Sequence, residues 1–234
     1  MISVITPTYN EKENIGRFIK EIASYLNDRK KKFELIVVDD NSPDGTADLV
    51  DSMKREHKNI LLLKRSGRLG LGSAYFDGFS KAKGDILIGI DADFSSSLAS
   101  IDMFIKKIEK GYDMAIGSRY MPRSKVYGQS VIKLEGSRLF NSFTRLFLNI
   151  PYSDITHSFR AVTKAAFDDI RTNIKEDDHP SFFIEFSFWI HRAGYKVSEV
   201  PIVFRERKLG KSKLNLSQGL KNGVKTLIRL KKIK

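Results

Sequence analysis

The chain contains no cysteine among its 234 residues. A disulfide framework and a thiolate metal site are therefore impossible, which fits a reducing compartment. The four histidines are scattered without the spacing of a metal site, so a histidine-bound metal is not expected. Metals that prefer oxygen ligands, such as Mg²⁺ and Mn²⁺, remain open.

Long hydrophobic runs are also missing. No uninterrupted apolar stretch approaches the roughly 20 residues that a membrane-spanning helix requires. Residues 1–7 carry neither a basic leader nor a long apolar segment, so they predict a first strand and not a signal peptide. A hydrophobic content of 41% is ordinary for a globular protein with a core. We therefore expect a soluble or peripheral protein.

Acidic residues are scarce near the C-terminal end of the sequence. The net charge is +13, and residues 201–234 hold eleven lysines and arginines but one acid, Glu206. Apolar residues recur there at three- and four-residue spacing, which predicts a basic amphipathic helix over 214–234. Such a helix can lie on an anionic membrane or pack on the protein body. Nucleic-acid binding is disfavoured because no aromatic platform accompanies the charge. The apolar stripe comprises Leu216, Leu220, Val224, Leu227 and Ile228.

Residues 1–213 predict a single α/β domain. Short apolar runs alternate with helical patterns, and this βαβ succession predicts a mostly parallel sheet with ligands at the carboxyl ends of its strands. The predicted strands are 2–6, 33–38, 60–63, 86–90, 114–116 and 197–204. The predicted helices are 14–27, 46–57, 71–83, 100–110, 131–149 and 182–193, with a polar loop over 118–130.

Two carboxylates follow the fourth predicted strand. Asp91 and Asp93 flank Ala92 directly after the run Ile86 to Ile90. A hard divalent cation commonly bridges one or two such carboxylates to a substrate's phosphates. A strand-ending turn or a helix cap would explain an isolated pair equally well. The rest of the sequence must therefore decide between these interpretations.

Several further motifs occur in a fixed order along the chain. They are Ser3 to Glu11, Val37 to Thr46, Gly70 to Ala74, Asp91 to Asp93, Gly117 to Tyr120, and the late group Pro201, Phe204, Arg207, Gly210, Ser212 and Lys213. Together they resemble the inverting family 2 glycosyltransferases over nearly the whole chain. The late group is similar to the dolichyl-phosphate mannosyltransferase and polyprenyl-phosphate sugar transferase branch.

This resemblance implies a glycosyltransferase A fold and a role for each matching residue. The nucleotide-sugar contacts would be Pro7, Tyr9, Glu11, Val38, Asp40, Asp91, Ala92, Asp93, Arg119, Arg207 and Lys213. Among these, Asp93, Arg119 and Arg207 would be catalytic, and the metal ligands would be Asp91, Asp93 and Ser95. Lys133 and Ser137 approximate the family's acceptor-phosphate contacts. The cofactor would be Mg²⁺ or Mn²⁺.

The resemblance also implies a reaction and a location. The leading hypothesis is metal-dependent transfer of a hexose, mannose from GDP-mannose, to dolichyl or polyprenyl phosphate at the cytoplasmic face of a membrane. A phosphate acceptor is already an anion and needs no general base, whereas a sugar hydroxyl does. The alternatives are a UDP-sugar transferase with a saccharide acceptor and Glu185 as base, and a non-catalytic nucleotide-sugar-binding subunit. A membrane-spanning partner is left open.

Two departures from the family pattern bear on these roles. After Asp93 the chain has Phe94 to Ser97, where the family usually has a glutamine or serine followed by His-Pro-Pro, and Ser95 is a poorer metal ligand than a glutamine carbonyl. His157 and Ser158 replace a usual Ser-Gly within the motif that runs from Asp154 to Arg160, so we expect a different turn there.

Overall fold

Strands and helices alternate along the computed structural model, which describes residues 1–175, 181–207 and 216–233, with the backbone alone at 216–218 and 220. The strands are β1 Ile2–Thr8, β2 Phe33–Asp39, β3 Ile60–Lys64, β4 Ile86–Gly89, β5 Met114–Ser118, β6 Lys125–Tyr127, β7 Arg160–Thr163, β8 Val197–Pro201 and β9 Val203–Arg205. The helices are α1 Lys12–Asp28, α2 Thr46–Met53, α3 Leu71–Lys81, α4 Ser100–Glu109, α5 Val131–Leu148, α6 Lys164–Ile170, α7 Ser181–Arg192 and α8 Leu216–Lys231, and a 3₁₀ turn at Arg171–Asn173 follows α6.

Seven strands form one sheet in the order β3-β2-β1-β4-β7-β5-β8. Neighbouring strands are parallel except around β7, which runs antiparallel to both β4 and β5. The winding direction reverses between β1 and β4, and open α/β sheets bind ligands at the carboxyl ends of the strands beside such a reversal. The predicted mostly parallel α/β sheet is confirmed, and its geometry directs attention to the ends of β1, β2 and β4.

Apolar side chains cover both faces of this sheet. On one face, α1 and α4 contribute buried residues such as Phe18 and Phe104. On the other, α3, α6 and α7 contribute Phe79, Phe167 and Phe186. Because β2 and β4 are covered on both sides, each contains a continuous apolar run, Leu35 to Val38 in β2 and Ile86 to Ile88 in β4, in place of an alternating pattern. The two apolar clusters therefore hold the strands in place, and with them the polar residues that follow the strand ends.

The sequence prediction was wrong or incomplete in the second half of the chain. The loop predicted over 118–130 contains β6, and the strand predicted over 197–204 is two strands. Of these, β8 joins the main sheet, whereas β9 pairs with β6 in a separate two-stranded sheet. Neither β7 nor α6 was predicted. β7 is short and begins with the buried Arg160, and β6 is largely exposed, so neither shows apolar periodicity.

Helix α8 begins close to its predicted start, but its predicted apolar stripe is divided. Leu227 is buried against the body, together with Leu230, whereas Val224 and Ile228 are about half exposed. Arg229 donates a hydrogen bond to the buried carboxylate of Glu185 on α7, at 2.9 Å. No described helix is both long enough and apolar enough to cross a membrane. The boundary predicted between residues 213 and 214 lies outside the described residues and stays a prediction.

Candidate functional site

The ends of β1 and β2 carry the residues that were predicted to bind a nucleoside. Pro7 and Val38 are buried side by side in the parallel register. Tyr9 follows β1, and the guanidinium of Arg68 lies 4.6 Å from the centroid of its ring. Glu11, largely buried, accepts a hydrogen bond from the side chain of Asn14 at 2.7 Å. An aromatic ring beside a carboxylate offers stacking and hydrogen bonding, the two contacts that a nucleobase can use.

Asp40, at the end of β2, is more constrained than the sequence indicated. Its two carboxylate oxygens accept hydrogen bonds from Nη1 of Arg65 at 2.7 Å and from the backbone N–H of Gly70 at 2.9 Å. Burial raises the pKa of Asp40, and the bonds from Gly70 and Arg65 oppose that rise. Asp40 thus ties the start of α3 to the end of β2, beside the predicted nucleoside contacts.

Asp91 and Asp93 lie beyond β4 with different partners. The two oxygens of Asp91 accept hydrogen bonds from the hydroxyl groups of Tyr75 at 2.7 Å and Ser158 at 2.8 Å. Asp93 accepts one from the backbone N–H of Ser95 at 2.9 Å. Burial, and next the negative charge of Asp93, raise the pKa of Asp91 to about 6. Two carboxylates that repel one another at a buried edge favour a cation between them.

Arg207 supplies a positive charge at this edge. Its Nη2 lies 2.7 Å from Asp93, and its Nη1 lies 3.4 Å from Glu11. The chain reaches this position because Ser95 and Ser97, just after the carboxylate pair, share backbone hydrogen bonds with β9. Arg207 therefore joins the predicted nucleoside side of the site to the predicted metal side. Lys213, also predicted to bind the donor, lies outside the described residues.

The carboxylate pair has the donor chemistry for a divalent cation. The described residues contain no group of three or more Asp, Glu, His or Cys side chains that could hold a metal ion by themselves. Mg²⁺ commonly takes one or two protein carboxylates and completes its shell with substrate phosphates and water. Asp91 and Asp93 therefore fit the cation, with oxygen ligands from a substrate. Ser95 orients Asp93 through its backbone N–H.

Arg119, predicted to be catalytic and to contact the nucleotide sugar, is already paired with a carboxylate. It follows β5 and donates through Nε and Nη2 to the two oxygens of Asp154, at 2.8 and 2.9 Å. Burial acts to raise the pKa of Asp154, but the Arg119 guanidinium outweighs it and holds that pKa below its ordinary value. A fork of this kind fixes the plane of the guanidinium. Within the part of the chain that the structure describes, its Nη1 makes no hydrogen bond.

The two residues predicted to contact an acceptor phosphate both lie on α5. Ser137 accepts hydrogen bonds from Nη2 of Arg119 at 3.2 Å and from the hydroxyl of Tyr120 at 2.8 Å. Lys133 lies one turn earlier, and its Nζ donates a hydrogen bond to Oε1 of Glu206 at 3.3 Å. Its side chain is 62% exposed. The structure therefore brings Arg119 and Ser137 together, with Lys133 on the same helix beside the segment that leads to Arg207.

Sequence reasoning missed several partners of the predicted residues. Asp154 and Ser158 belong to a motif that was recognised, but neither had been given a contact. Tyr75 and Arg65 were not singled out at all, because an isolated tyrosine or arginine carries no local signal of its partner. The only sequence signal that could have found any of them is the motif from Asp154 to Arg160, whose loop the fold brings beside both Asp91 and Arg119.

The hypothesis that Glu185 acts as a base does not fit its position. Its carboxylate is 1% exposed and is paired with Arg229. Burial raises the pKa of Glu185, and the bond from Arg229 opposes that rise. Through this ion pair, Glu185 docks α8 onto α7. Three other acids near this position in the sequence, Glu176, Asp177 and Asp178, lie outside the described residues.

Solved structures share this fold. Glucosyl-3-phosphoglycerate synthase from Mycobacterium tuberculosis, in complex with Mn²⁺, UDP and phosphoglyceric acid, matches with a TM-score of 0.71 at 17% identity, over 100% of this chain and 79% of that chain. A mannosyltransferase from Pyrobaculum calidifontis in complex with GDP-Man and Mn²⁺ matches with a TM-score of 0.63 at 19% identity, over 97% of this chain and 64% of that chain. The predicted glycosyltransferase A fold is confirmed.

Two mannosyl-transferring proteins are more similar to this chain in sequence than those solved structures are. A polyprenol monophosphomannose synthase of Mycolicibacterium smegmatis is 32% identical over 91% of this chain and 80% of its own length. An undecaprenyl-phosphate mannosyltransferase of Micrococcus luteus is 32% identical over 92% of this chain and 87% of its own length. The model of the glycosyl transferase family 2 matches residues 3–171. The chain therefore belongs to glycosyl transferase family 2 and is a glycosyltransferase.

Proposed function

We propose that this enzyme transfers mannose from GDP-mannose to a polyprenyl or dolichyl phosphate, with inversion at the anomeric carbon and with Mg²⁺ or Mn²⁺. The observation that carries the proposal is the 32% identity to a polyprenol monophosphomannose synthase over 91% of the chain. The model of the same family matches residues 3–171, which include the candidate donor residues from Pro7 to Asp93. The site described above is chemically suited to both substrates.

In this proposal the donor binds along the ends of β1, β2 and β4. Pro7, Tyr9, Glu11, Val38, Asp40 and Ala92 line the nucleoside side, while Asp91 and Asp93 hold the divalent cation. When bound, that cation would neutralise charge that develops on the departing diphosphate. Arg207 contributes a second positive charge, and its support is the 2.7 Å contact with Asp93. Lys213 would join it from the neighbouring segment.

The acceptor phosphate would bind at Arg119, Ser137 and Lys133. A phosphate monoester has a second pKa of about 6, so at neutral pH it is an anion and can attack without losing a proton to the protein. Arg119 has an Nη1 group that makes no hydrogen bond to the described residues, so it can donate to an anion while Asp154 keeps its plane fixed. A buried, paired Glu185 agrees with an acceptor that needs no base.

The exposed apolar side chains of α5, the helix that carries Lys133 and Ser137, support a membrane location. Five apolar side chains of α5 are more than half exposed, led by Ile132 at 87% and Leu146 at 83%. The α5–α8 face comprises Val131, Ile132, Leu139, Phe143 and Leu146 of α5 and Val224 and Ile228 of α8.

We assign this face to an anionic bilayer at the cytoplasmic side of a membrane. Exposed basic residues accompany it, including Lys133 and Arg138 on α5 and Lys221 and Lys225 on α8. Each lysine or arginine near an anionic surface contributes about 1 kcal/mol of binding. Because Ser137 lies on α5, a lipid phosphate at the membrane surface would meet Arg119 without leaving its bilayer.

The test is transfer of radiolabelled sugar from GDP-mannose, UDP-glucose or UDP-N-acetylglucosamine into organic-extractable polyprenyl phosphate, with Mn²⁺, Mg²⁺ or EDTA. Label from GDP-mannose that requires the cation and is lost in Asp93→Ala is the expected result. Asp48→Ala, an exposed aspartate on α2, is the control. No lipid label from any donor, despite binding of a nucleotide sugar, would contradict the proposal and favour a saccharide acceptor or a non-catalytic binder.

A further inference from the structure

The carboxylate of Asp91 is held on both sides by hydroxyl groups from distant parts of the chain. The Oη of Tyr75 on α3 donates to Oδ1, and the Oγ of Ser158 donates to Oδ2. The two donors are separated from Asp91 by 16 and 67 residues, so the fold and not the local sequence assembles this arrangement. Two donors on opposite oxygens fix both the position and the rotation of a carboxylate.

Other side chains enclose the Tyr75 ring. The ring is fully buried, and its centroid lies 5.2 Å from that of Phe183 and 5.9 Å from that of Phe79. A Cβ atom at Gly89, the last residue of β4, would lie 2.8 Å from Cε1 of Tyr75. Only glycine leaves room for the ring at that point, so the strand before Asp91 is shaped to accept Tyr75.

The loop that carries Ser158 is held just as firmly. Arg160, fully buried at the start of β7, donates hydrogen bonds to the backbone carbonyls of Ile155 and His157. The backbone N–H of Phe159 donates to Nδ1 of His157 at 3.0 Å. The resembled family usually has glycine at position 158, and glycine has no hydroxyl. The bond to Asp91 therefore depends on the serine that this chain has at position 158.

Asp93 is held differently. Its partners are a backbone N–H two residues away and the guanidinium of Arg207, which is partly exposed. One carboxylate of the pair is thus fixed by buried hydroxyl groups, while the other is balanced by a charge at the surface. Each oxygen of Asp91 retains a lone pair after accepting one hydroxyl, so it can still ligate a cation.

We propose that Tyr75 and Ser158 are positioning residues that orient the Asp91 carboxylate toward the cation and diphosphate of the donor. The inference rests on the proposed function. Outer-shell partners of metal ligands commonly matter by about 10- to 100-fold in metal affinity or activity. Tyr75 and Ser158 act through Asp91 and do not themselves touch the donor.

The test compares Ser158→Ala and Tyr75→Phe with two matched controls. Ser80→Ala removes a serine hydroxyl that has no hydrogen-bond partner among the described residues, and Tyr152→Phe removes a tyrosine hydroxyl whose partner is His191. Binding of Mn²⁺ in the presence of GDP is measured by electron paramagnetic resonance, and kcat and KM are measured separately for GDP-mannose.

We expect Ser158→Ala and Tyr75→Phe each to weaken Mn²⁺ binding by roughly 10-fold or more and to lower kcat. Ser158→Thr, which keeps a hydroxyl, should recover most of the binding, whereas the controls should behave as the wild type. Wild-type Mn²⁺ affinity and kcat in Ser158→Ala would overturn the inference, and this reading does not depend on whether Tyr75→Phe folds. Failure of the wild type to bind Mn²⁺ with GDP would overturn the proposed function itself, so the two failures are distinct.

Discussion

The two halves of the site balance charge in opposite ways. At the ends of β1, β2 and β4, which we propose as the donor edge, the partly exposed Arg207 pairs with Asp93, while burial and next the charge of Asp93 raise the pKa of Asp91. At Arg119 and Ser137, which we propose as the acceptor edge, Arg119 is already paired with Asp154, which is fully buried. The donor edge therefore has negative charge that an incoming cation can neutralise, whereas the acceptor edge has a fixed cation ready for an anion.

This difference separates what each edge requires for stability from what it requires for activity. A buried ion pair that loses one partner leaves an uncompensated charge, which strongly destabilises a fold. A partly exposed cation such as Arg207 can be removed with a smaller effect on folding. We therefore expect changes at the acceptor edge to affect stability first and changes at the donor edge to affect catalysis first.

The largest expected effect is that of Asp154→Ala. The change leaves the Arg119 guanidinium buried without its carboxylate, so the free energy of unfolding should fall by about 3–5 kcal/mol. Urea unfolding followed by circular dichroism measures it. Asp102→Ala, which breaks the exposed pair with Arg29, is the control and should change stability little. An equally small effect of Asp154→Ala would show that the acceptor edge does not depend on its ion pair.

The next effect is expected at the donor edge, from Arg207→Gln. Loss of the positive charge should lower kcat by about 100-fold, which is the usual effect of removing one group that stabilises developing charge. The melting temperature should stay near that of the wild type. Steady-state transfer from GDP-mannose measures the change, with Arg205→Gln, an exposed arginine two residues earlier, as the control. A loss of stability without a loss of kcat would reverse the assignment.

A smaller effect is expected on membrane binding. The double change Ile132→Asp and Leu146→Asp puts charges on the α5–α8 face, and binding to anionic vesicles should weaken by at least about 10-fold because apolar area is no longer buried. Sedimentation with vesicles measures it, and Leu69→Asp, at an exposed leucine that is on neither α5 nor α8, is the control. Unchanged vesicle binding would exclude the face. A wild-type dimer that the change dissociates would identify a second copy as its occupant.

The smallest effect concerns pH. Because the folded pKa of Asp154 lies below its unfolded value of about 3.9, its contribution to stability is complete above that value and is lost as the pH falls through the folded pKa. The stability of the wild type should therefore decrease on acidification more than that of Asp154→Asn. Urea midpoints between pH 5 and pH 2 compare the two proteins, and parallel curves would contradict the lowered pKa.

Local patterns in the sequence predict the first half of the molecule well. The apolar patterns of β1 to β5 and of the helices between them predict these elements without knowledge of the tertiary structure. The residues after these strands were correctly expected at one edge of the sheet. β6, β7 and α6 could not be found in this way. β7 is short and has a buried arginine. It lies between β4 and β5, antiparallel to both, although it follows both in the sequence.

In the candidate site too, the sequence indicates some residues, whereas tertiary packing determines their partners. Asp91, Asp93 and Glu11 follow strand ends and belong to the motifs that carry the family resemblance, so the sequence indicates them through that resemblance. Their partners depend on contacts across the chain: Arg207 meets Glu11 across 196 residues, and Ser158 meets Asp91 across 67. Periodicity reports only on near neighbours, because a local pattern constrains the backbone within a few turns. The pairing of Arg119, the docking role of Glu185 and the two hydroxyl groups on Asp91 were therefore decided by tertiary packing.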